Sequence, residues 1–283
     1  MIRFGVSPAF VFSRHTTRFT PDDYCRALER LPALGFAAYQ PEVFFAERLD
    51  EWSHGGATLV NRTAIGLGLR ASQCVAHFLM DSVGSPARLA DTRDFDAFAR
   101  FVEIARSFTG CRVVSMAMAP FAAGDSAPAT PAWFAEQRAR LAAKLARYLE
   151  IATAADFDFA IEIVPFSLVG GSEGFLRLAA ELGSPRFGVN LDTGHAWAAR
   201  ENLALLPLKL AGRVFGVHLK DNNSDQNQAL APGRGTVPWP PFLRSLLASG
   251  YHGSWDLEIA CPASAVDAEY AAGRAFLQAL KLD

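Results

Sequence analysis

The chain has 283 residues, 51% of them hydrophobic and 20% charged, with a formal net charge of −2. That is enough to bury the core of one barrel-sized domain, 1–283, and it lacks the basic excess that nucleic-acid binding needs. No apolar stretch reaches membrane-span length, and the opening Met1-Ile2-Arg3-Phe4 is interrupted too soon for a signal peptide, so the expected setting is cytoplasmic.

In chain order, strands and helices alternate. The first strand is predicted over 2–7, followed by a long loop carrying Phe10, Phe12, Arg14 and His15. Thr20 is placed to cap a helix that has Pro21 at its first position and Asp22 and Asp23 in its first turn, with Gly35 at its end. Residues 36–42 read as a second strand broken by Pro41, 57–66 as the second helix and 69–77 as the third strand. Residues 94–108 form an amphipathic helix with Phe95, Phe98, Phe101, Val102 and Ala105 on one stripe. The fourth strand covers 112–118, a loop rich in Ala, Gly and Pro covers 119–131, and the longest helix covers 132–155. Helices near 174–182, 202–210, 240–249 and 265–280 separate and follow the last strands.

Those last strands are four short apolar runs, 159–162, 187–192, 214–218 and 254–258, each with the density of a buried parallel strand. Strict alternation at this length predicts an α/β fold, a (β/α)8 TIM barrel. An open doubly wound sheet is the alternative, but it calls for a Gly-rich turn after the first strand, and Gly5-Val6-Ser7-Pro8 is not one. Cys25, Cys74, Cys111 and Cys261 are widely spaced with no C-x-x-C pair and read as reduced, buried thiols.

Each of the four runs ends on a metal-ligand type of residue: Glu162, Asp192, His218 and Glu258. In a parallel barrel all strand C-termini open on one face, so these side chains should converge. Carboxylates and one imidazole without thiolate suit a single divalent ion, Mn²⁺ first, with Mg²⁺, Co²⁺ or Zn²⁺ as alternatives. A salt bridge across the barrel mouth is the plainer reading of Glu162, and a helix N-cap that of Asp192. His195, one turn after Asp192, is placed to contact substrate or to orient a ligand. Lys220 either points at an anionic substrate group or is a solvated loop lysine. Asp256 shares a strand face with Glu258 and reads as a polar residue of the barrel interior. Phe10, Phe12 and His15, with Trp197, form either a wall of the pocket or a surface contact.

Asp192-Thr193-Gly194-His195, His218-Leu219-Lys220-Asp221-Asn222, Pro232-Gly233-Arg234-Gly235 and the Glu258 strand, in this order, resemble the sugar-phosphate isomerase/epimerase family with its xylose isomerase-like barrel. The resemblance is closest to ketose 3-epimerases. It implies one Mn²⁺ or similar ion on Glu162, Asp192, His218 and Glu258, with Glu162 and Glu258 exchanging protons with carbon. It implies substrate contact by His195, a pocket lined by Glu42 and His77, and a local contact from Arg234, where relatives often carry Glu or Lys. A small sugar or polyol is the implied partner, and a homo-oligomer is left open as the assembly. Dehydration of a cyclic keto-polyol such as inosose on the same site is the alternative reaction, and a non-catalytic sugar-binding barrel the alternative class. The endonuclease IV branch needs further metal ligands; Met116-Ala117-Met118 and Gly233-Arg234-Gly235-Thr236 stand where they would be.

Overall fold

The computed structural model describes residues 2–125, 128, 130–223 and 226–282. Parallel pairing joins ten short segments into one sheet. Strand β1 is Phe4–Val6. Strand β2 consists of Ala38–Tyr39 and Glu42–Val43, and β3 of Arg70–Ala71 and Cys74–Ala76. The others are β4 (Val113–Ala117), β5 (Asp158–Glu162), β6 (Phe187–Asp192), β7 (Val214–Leu219) and β8 (Trp255–Leu257). β2 and β3 pair through both of their halves, Ala38 with Arg70 and Glu42 with Val75, and β8 pairs with β1. The sheet therefore closes on itself as the expected eight-stranded TIM barrel.

Pro41 explains the break in β2. It has no N–H for the ladder, and its carbonyl accepts from Val75 N at 2.8 Å. Glycines shape the interior beneath the mouth. A Cβ on Gly5 would lie 1.9 Å from Asp256 Oδ1, and one on Gly216 would lie 2.7 Å from both Asn190 Oδ1 and Gln73 Oε1. The missing side chains make room for a polar layer of Gln40, Gln73, Asn190 and Asp256, each 1% exposed. Outside the strands the abundant phenylalanines fill the space under the helices; Phe98 meets Tyr148 at 5.1 Å and Phe175 meets Phe187 at 5.5 Å.

Helix Pro21–Leu28 starts where Thr20 predicts. Thr20 Oγ1 accepts from Asp23 N at 3.2 Å, and Asp23 Oδ2 accepts from Thr20 N at 2.9 Å. That cap is worth about 1 kcal/mol. Gly35 lies beyond the helix, at φ 76°, where it turns the chain into β2. Three of the segments that differ from expectation bear on the site. The loop expected after β1 is a helix, Ala9–His15, that follows Pro8 without a side-chain cap; Ser7 Oγ accepts from Ala9 N at 3.2 Å, and Arg14 lies over the Phe10 ring one turn earlier. The helix expected over 202–210 is reduced to Leu206–Lys209, because Pro207 is tolerated only in a first turn. A helix Thr193–Ala198 springs directly from the end of β6. The four cysteines are free thiols, but only Cys74 and Cys111 are buried; Cys25 and Cys261 are half-buried. Among the described residues no helix is long and apolar enough to cross a membrane.

Candidate active site

The ends of β5, β6 and β7 and the residue after β8 converge. One ligand atom from each of Glu162, Asp192, His218 and Glu258 lies within 4.8 Å of the others. His218 Nδ1 is central: Glu162 Oε2 lies 2.7 Å from it, Glu258 Oε2 2.8 Å and Asp192 Oδ2 3.7 Å. Glu162, Asp192 and His218 are buried. The helix N-cap reading of Asp192 holds, and its other oxygen remains free to serve the cluster. Its Oδ1 accepts from His195 N at 2.7 Å and caps helix Thr193–Ala198, while Oδ2 turns to the cluster.

Buried amides hold two of these groups from below. Asp256 accepts from Ser72 Oγ at 2.7 Å, Ser254 Oγ at 2.6 Å and Gln40 Nε2 at 2.7 Å. The Gln40 NH₂ is thereby committed to Asp256, so its Oε1, 2.8 Å from His218 Nε2, must accept. His218 then donates from Nε2 and presents Nδ1 to the carboxylates. In parallel, Gln73 Nε2 donates to Asn190 Oδ1 at 2.9 Å, and Asn190 Nδ2 donates to Glu162 Oε2 at 2.7 Å.

The electrostatics are those of a site built for positive charge. Burial alone would lower the His218 pKa, but Glu258 and Glu162 outweigh it and hold the ring well above the ordinary imidazole range. Burial would raise Glu162, but His218 and His195 hold it well below the usual carboxylate range. Glu258 is likewise lowered, by Lys220 and His218 acting against burial. Asp192 goes the other way: burial pushes it up to about 6, against the pull of Lys220. A neutral His218 turns the lone pair of Nδ1 toward oxygens at 2.7 and 2.8 Å, an arrangement that requires a proton or a cation among them. The donor set and its crowding fit a divalent ion.

Other expected site residues divide into two groups. His195 Nε2 lies 3.3 Å from Glu162 Oε1. His77 Nδ1 lies 3.1 Å from Glu42 Oε1, and the fields of Glu162 and Glu258 reach His77. Phe44 stacks on His77 at 3.8 Å, and Phe12 meets Phe44 edge-on at 6.2 Å, which links Phe12 to this edge of the site. Trp197 Nε1 donates to Thr236 Oγ1 at 3.1 Å, tying its helix to the loop after β7.

Lys220 is neither solvated nor open to a substrate anion. Its buried Nζ lies 2.8 Å from Asp192 Oδ2 and 3.1 Å from Glu258 Oε2. Phe10 is a core side chain, fully buried edge-on to Tyr270 at 4.9 Å, because helix Ala9–His15 turns it inward. His15 pairs with Asp23 at 3.4 Å. Arg234 is exposed and reaches Glu269 at 3.2 Å. Its loop is fixed by Asp221, which accepts from Gly233 N at 2.8 Å, Val237 N at 3.0 Å and Trp239 Nε1 at 2.9 Å. Gln40, Gln73 and Asn190 were absent from the expected set, although alternation puts Gln40 on the face of Glu42 and Asn190 on that of Asp192.

Relatives share this architecture. The L-ribulose-5-phosphate 3-epimerase UlaE of Escherichia coli is 25% identical over 214 residues, which cover 75% of this chain and 72% of that enzyme. Among solved structures, an L-ribulose 3-epimerase aligns over 98% of this chain and 94% of its own, with TM-score 0.74 and 21% identity. IolI protein with a bound zinc atom aligns over 98% of each chain, with TM-score 0.74 and 13% identity. The chain spans only 41% of a xylose isomerase-like TIM barrel/4-hydroxyphenylpyruvate dioxygenase fusion protein, which matches over 96% of this chain with TM-score 0.69 and 18% identity. The family model described as xylose isomerase-like TIM barrel matches residues 28–280, and the chain belongs to that family.

Proposed function

We propose that this protein is a divalent-metal-dependent isomerase or epimerase of a sugar or related hydroxy-carbonyl compound, working through an enediolate. The observation that carries the reading is the convergence of Glu162 and Glu258 on one imidazole nitrogen, at 2.7 and 2.8 Å from His218 Nδ1. Glu162, Asp192, His218 and Glu258 would hold the ion, Mn²⁺ by donor chemistry; the zinc in IolI keeps Zn²⁺ in the set. When bound, the ion acidifies the C–H beside the substrate carbonyl and offsets the negative charge that develops.

The chain's own groups supply the proton chemistry. Glu162 and Glu258 come from strands on different sides of the barrel, so one removes the proton and the other returns one. His195 braces Glu162 Oε1. Lys220 neutralises Asp192 and Glu258 without leaving an open cation for a phosphate. UlaE and the L-ribulose 3-epimerase, both named as 3-epimerases of a pentulose or its phosphate, support the assignment.

Dehydration is the second reading, and His77 favours it. Its Nδ1 lies 3.1 Å from Glu42 Oε1, and a proton held between the two could go to a leaving hydroxide. Incubation of the Mn²⁺-loaded protein with L-ribulose, D-psicose and an inosose in D₂O, followed by product NMR, separates the two. An epimeric ketose carrying deuterium supports the first reading, and a dehydrated product the second. A protein that binds these compounds without exchange or turnover is a binding barrel, contrary to both.

A further inference from the structure

A cleft of about 700 Å³ adjoins the metal-ligand cluster, and Asp192 and His195 line both. It runs outward under the segment after β5 and the segment after β6. Alternation explains its floor. Asn190 and Asp192 face the barrel axis, so Val189 and Leu191 face the outer layer. There the covering helix is only Leu206–Lys209, and Val189, Leu206 and Leu210 are left as a deep apolar base. The upper wall carries Pro165 and Phe166. Phe166 is 89% exposed and has φ 65°, a left-handed backbone that a phenylalanine rarely adopts. Its carbonyl accepts from Phe121 N at 2.9 Å, which holds that conformation.

We infer that this cleft receives an apolar substituent carried by the substrate, so that a substituted hydroxy-carbonyl is preferred over the bare ketoses that the adjoining cluster also turns over. The inference rests on the reading of the adjoining cluster as a hydroxy-carbonyl site. A bare ketose bears a hydroxyl on nearly every carbon, and hydroxyls set against Val189, Leu206 and Leu210 at the base would be desolvated without partners there. An alkyl or aryl group is favoured there for the same reason. The volume matches sites for ligands larger than one sugar ring. Polar groups also line the cleft, Ser172, Glu201, Gln226 and Asn227 among them, and there His195 Nδ1 and Ser167 Oγ are buried without hydrogen bonds among the described residues. Depth argues for a small group over a protein surface, since the base is formed by side chains at most 3% exposed.

The test uses the full chain and three probes: hydroxyacetone, 1-hydroxy-4-phenylbutan-2-one and 1-hydroxydecan-2-one. Dissociation constants are measured by calorimetry with and without Mn²⁺. The two extended probes are expected to bind at least tenfold tighter than hydroxyacetone. Ala199→Trp, at an exposed position on the cleft wall, should erase that ratio while leaving hydroxyacetone and Mn²⁺ binding unchanged. Phe166→Ala should reduce it, with little effect on folding because the side chain is solvent-facing. Equal affinity for all three probes overturns the inference, as does a preference that survives both substitutions. Conversion of a dimeric parent to a monomer by Ala199→Trp would assign the cleft to self-association and also overturn it. Failure of the metal reading shows separately, as absence of Mn²⁺ binding in the same titrations, while the probe ratio still reports on the cleft.

Discussion

Gln40 Oε1 lies 2.8 Å from His218 Nε2, and this contact decides which nitrogen of the ring faces Glu162 and Glu258. The Gln40 amide is oriented by Asp256, which takes its NH₂ at 2.7 Å. Gln40→Leu should weaken Mn²⁺ binding by about 10- to 100-fold, the usual effect of removing a group that orients a metal-ligating histidine. The metal-free protein should lose roughly 1–3 kcal/mol from the unpaired donor and acceptor left behind. Calorimetric titration beside denaturant unfolding checks both. An unchanged Mn²⁺ affinity would refute the orienting role.

Asp192 serves the cluster and a helix with different oxygens, so its two roles separate by substitution. Asp192→Asn keeps an oxygen that accepts from His195 N but lacks the charge; it should fold with its helix cap intact and bind no stoichiometric metal. Asp192→Ala should lose metal binding and, in addition, about 1 kcal/mol from the cap. Metal analysis and thermal unfolding of both variants give the answer. Full metal content in Asp192→Ala would remove Asp192 from the ligand set.

Metal affinity should rise with pH. His218 is held above its ordinary range in the metal-free protein, because Glu258 and Glu162 outweigh burial. At neutral pH it therefore carries a proton on the nitrogen that must bind the ion, and binding releases that proton. Asp192, pushed up to about 6 by burial, is ionised above that pH and protonated below it, so a second proton competes as pH falls through 6. Titration of Mn²⁺ in buffers of different ionisation enthalpy should show about one proton released near pH 7.5 and more near pH 5.5. No proton release at either pH would contradict this assignment.

Arg234 matches a family block by position, but the structure turns it to Glu269 on the surface. Arg234→Ala should therefore change kcat/KM for an accepted ketose by less than about twofold, in the range of exposed ion pairs. A tenfold loss would return Arg234 to the site.

The convergence of Glu162, Asp192, His218 and Glu258 was legible in the sequence because each is a polar residue closing an apolar run, a pattern that burial makes costly without a purpose. The barrel was legible for a related reason, since buried parallel strands read as apolar runs separated by helical stretches. The amides that orient the ligands were not singled out. Gln40 and Asn190 are neutral, and only their alternation with Glu42 and Asp192 points inward. Gln73 sits in the break between the halves of β3, where no period applies. Residues 9–15 read as part of a loop because the apolar run 9–12 is too short to show a helical period, yet the pairing of Phe10 with Arg14 one turn later is a helical spacing. Once that helix forms, Phe10 belongs to the core and only Phe12 reaches toward the site.

The most direct measurement is deuterium exchange at the carbon beside the carbonyl of L-ribulose or D-psicose, catalysed by the Mn²⁺-loaded protein and by its Glu162→Gln and Glu258→Gln variants in D₂O. Gln keeps the shape and one oxygen ligand while removing the base. Each variant is expected to retain at least partial Mn²⁺ binding and to lose turnover by about 100-fold or more, the scale of a missing acid–base group. The parent should exchange and epimerise. Normal exchange and turnover in both variants would contradict the two-carboxylate mechanism.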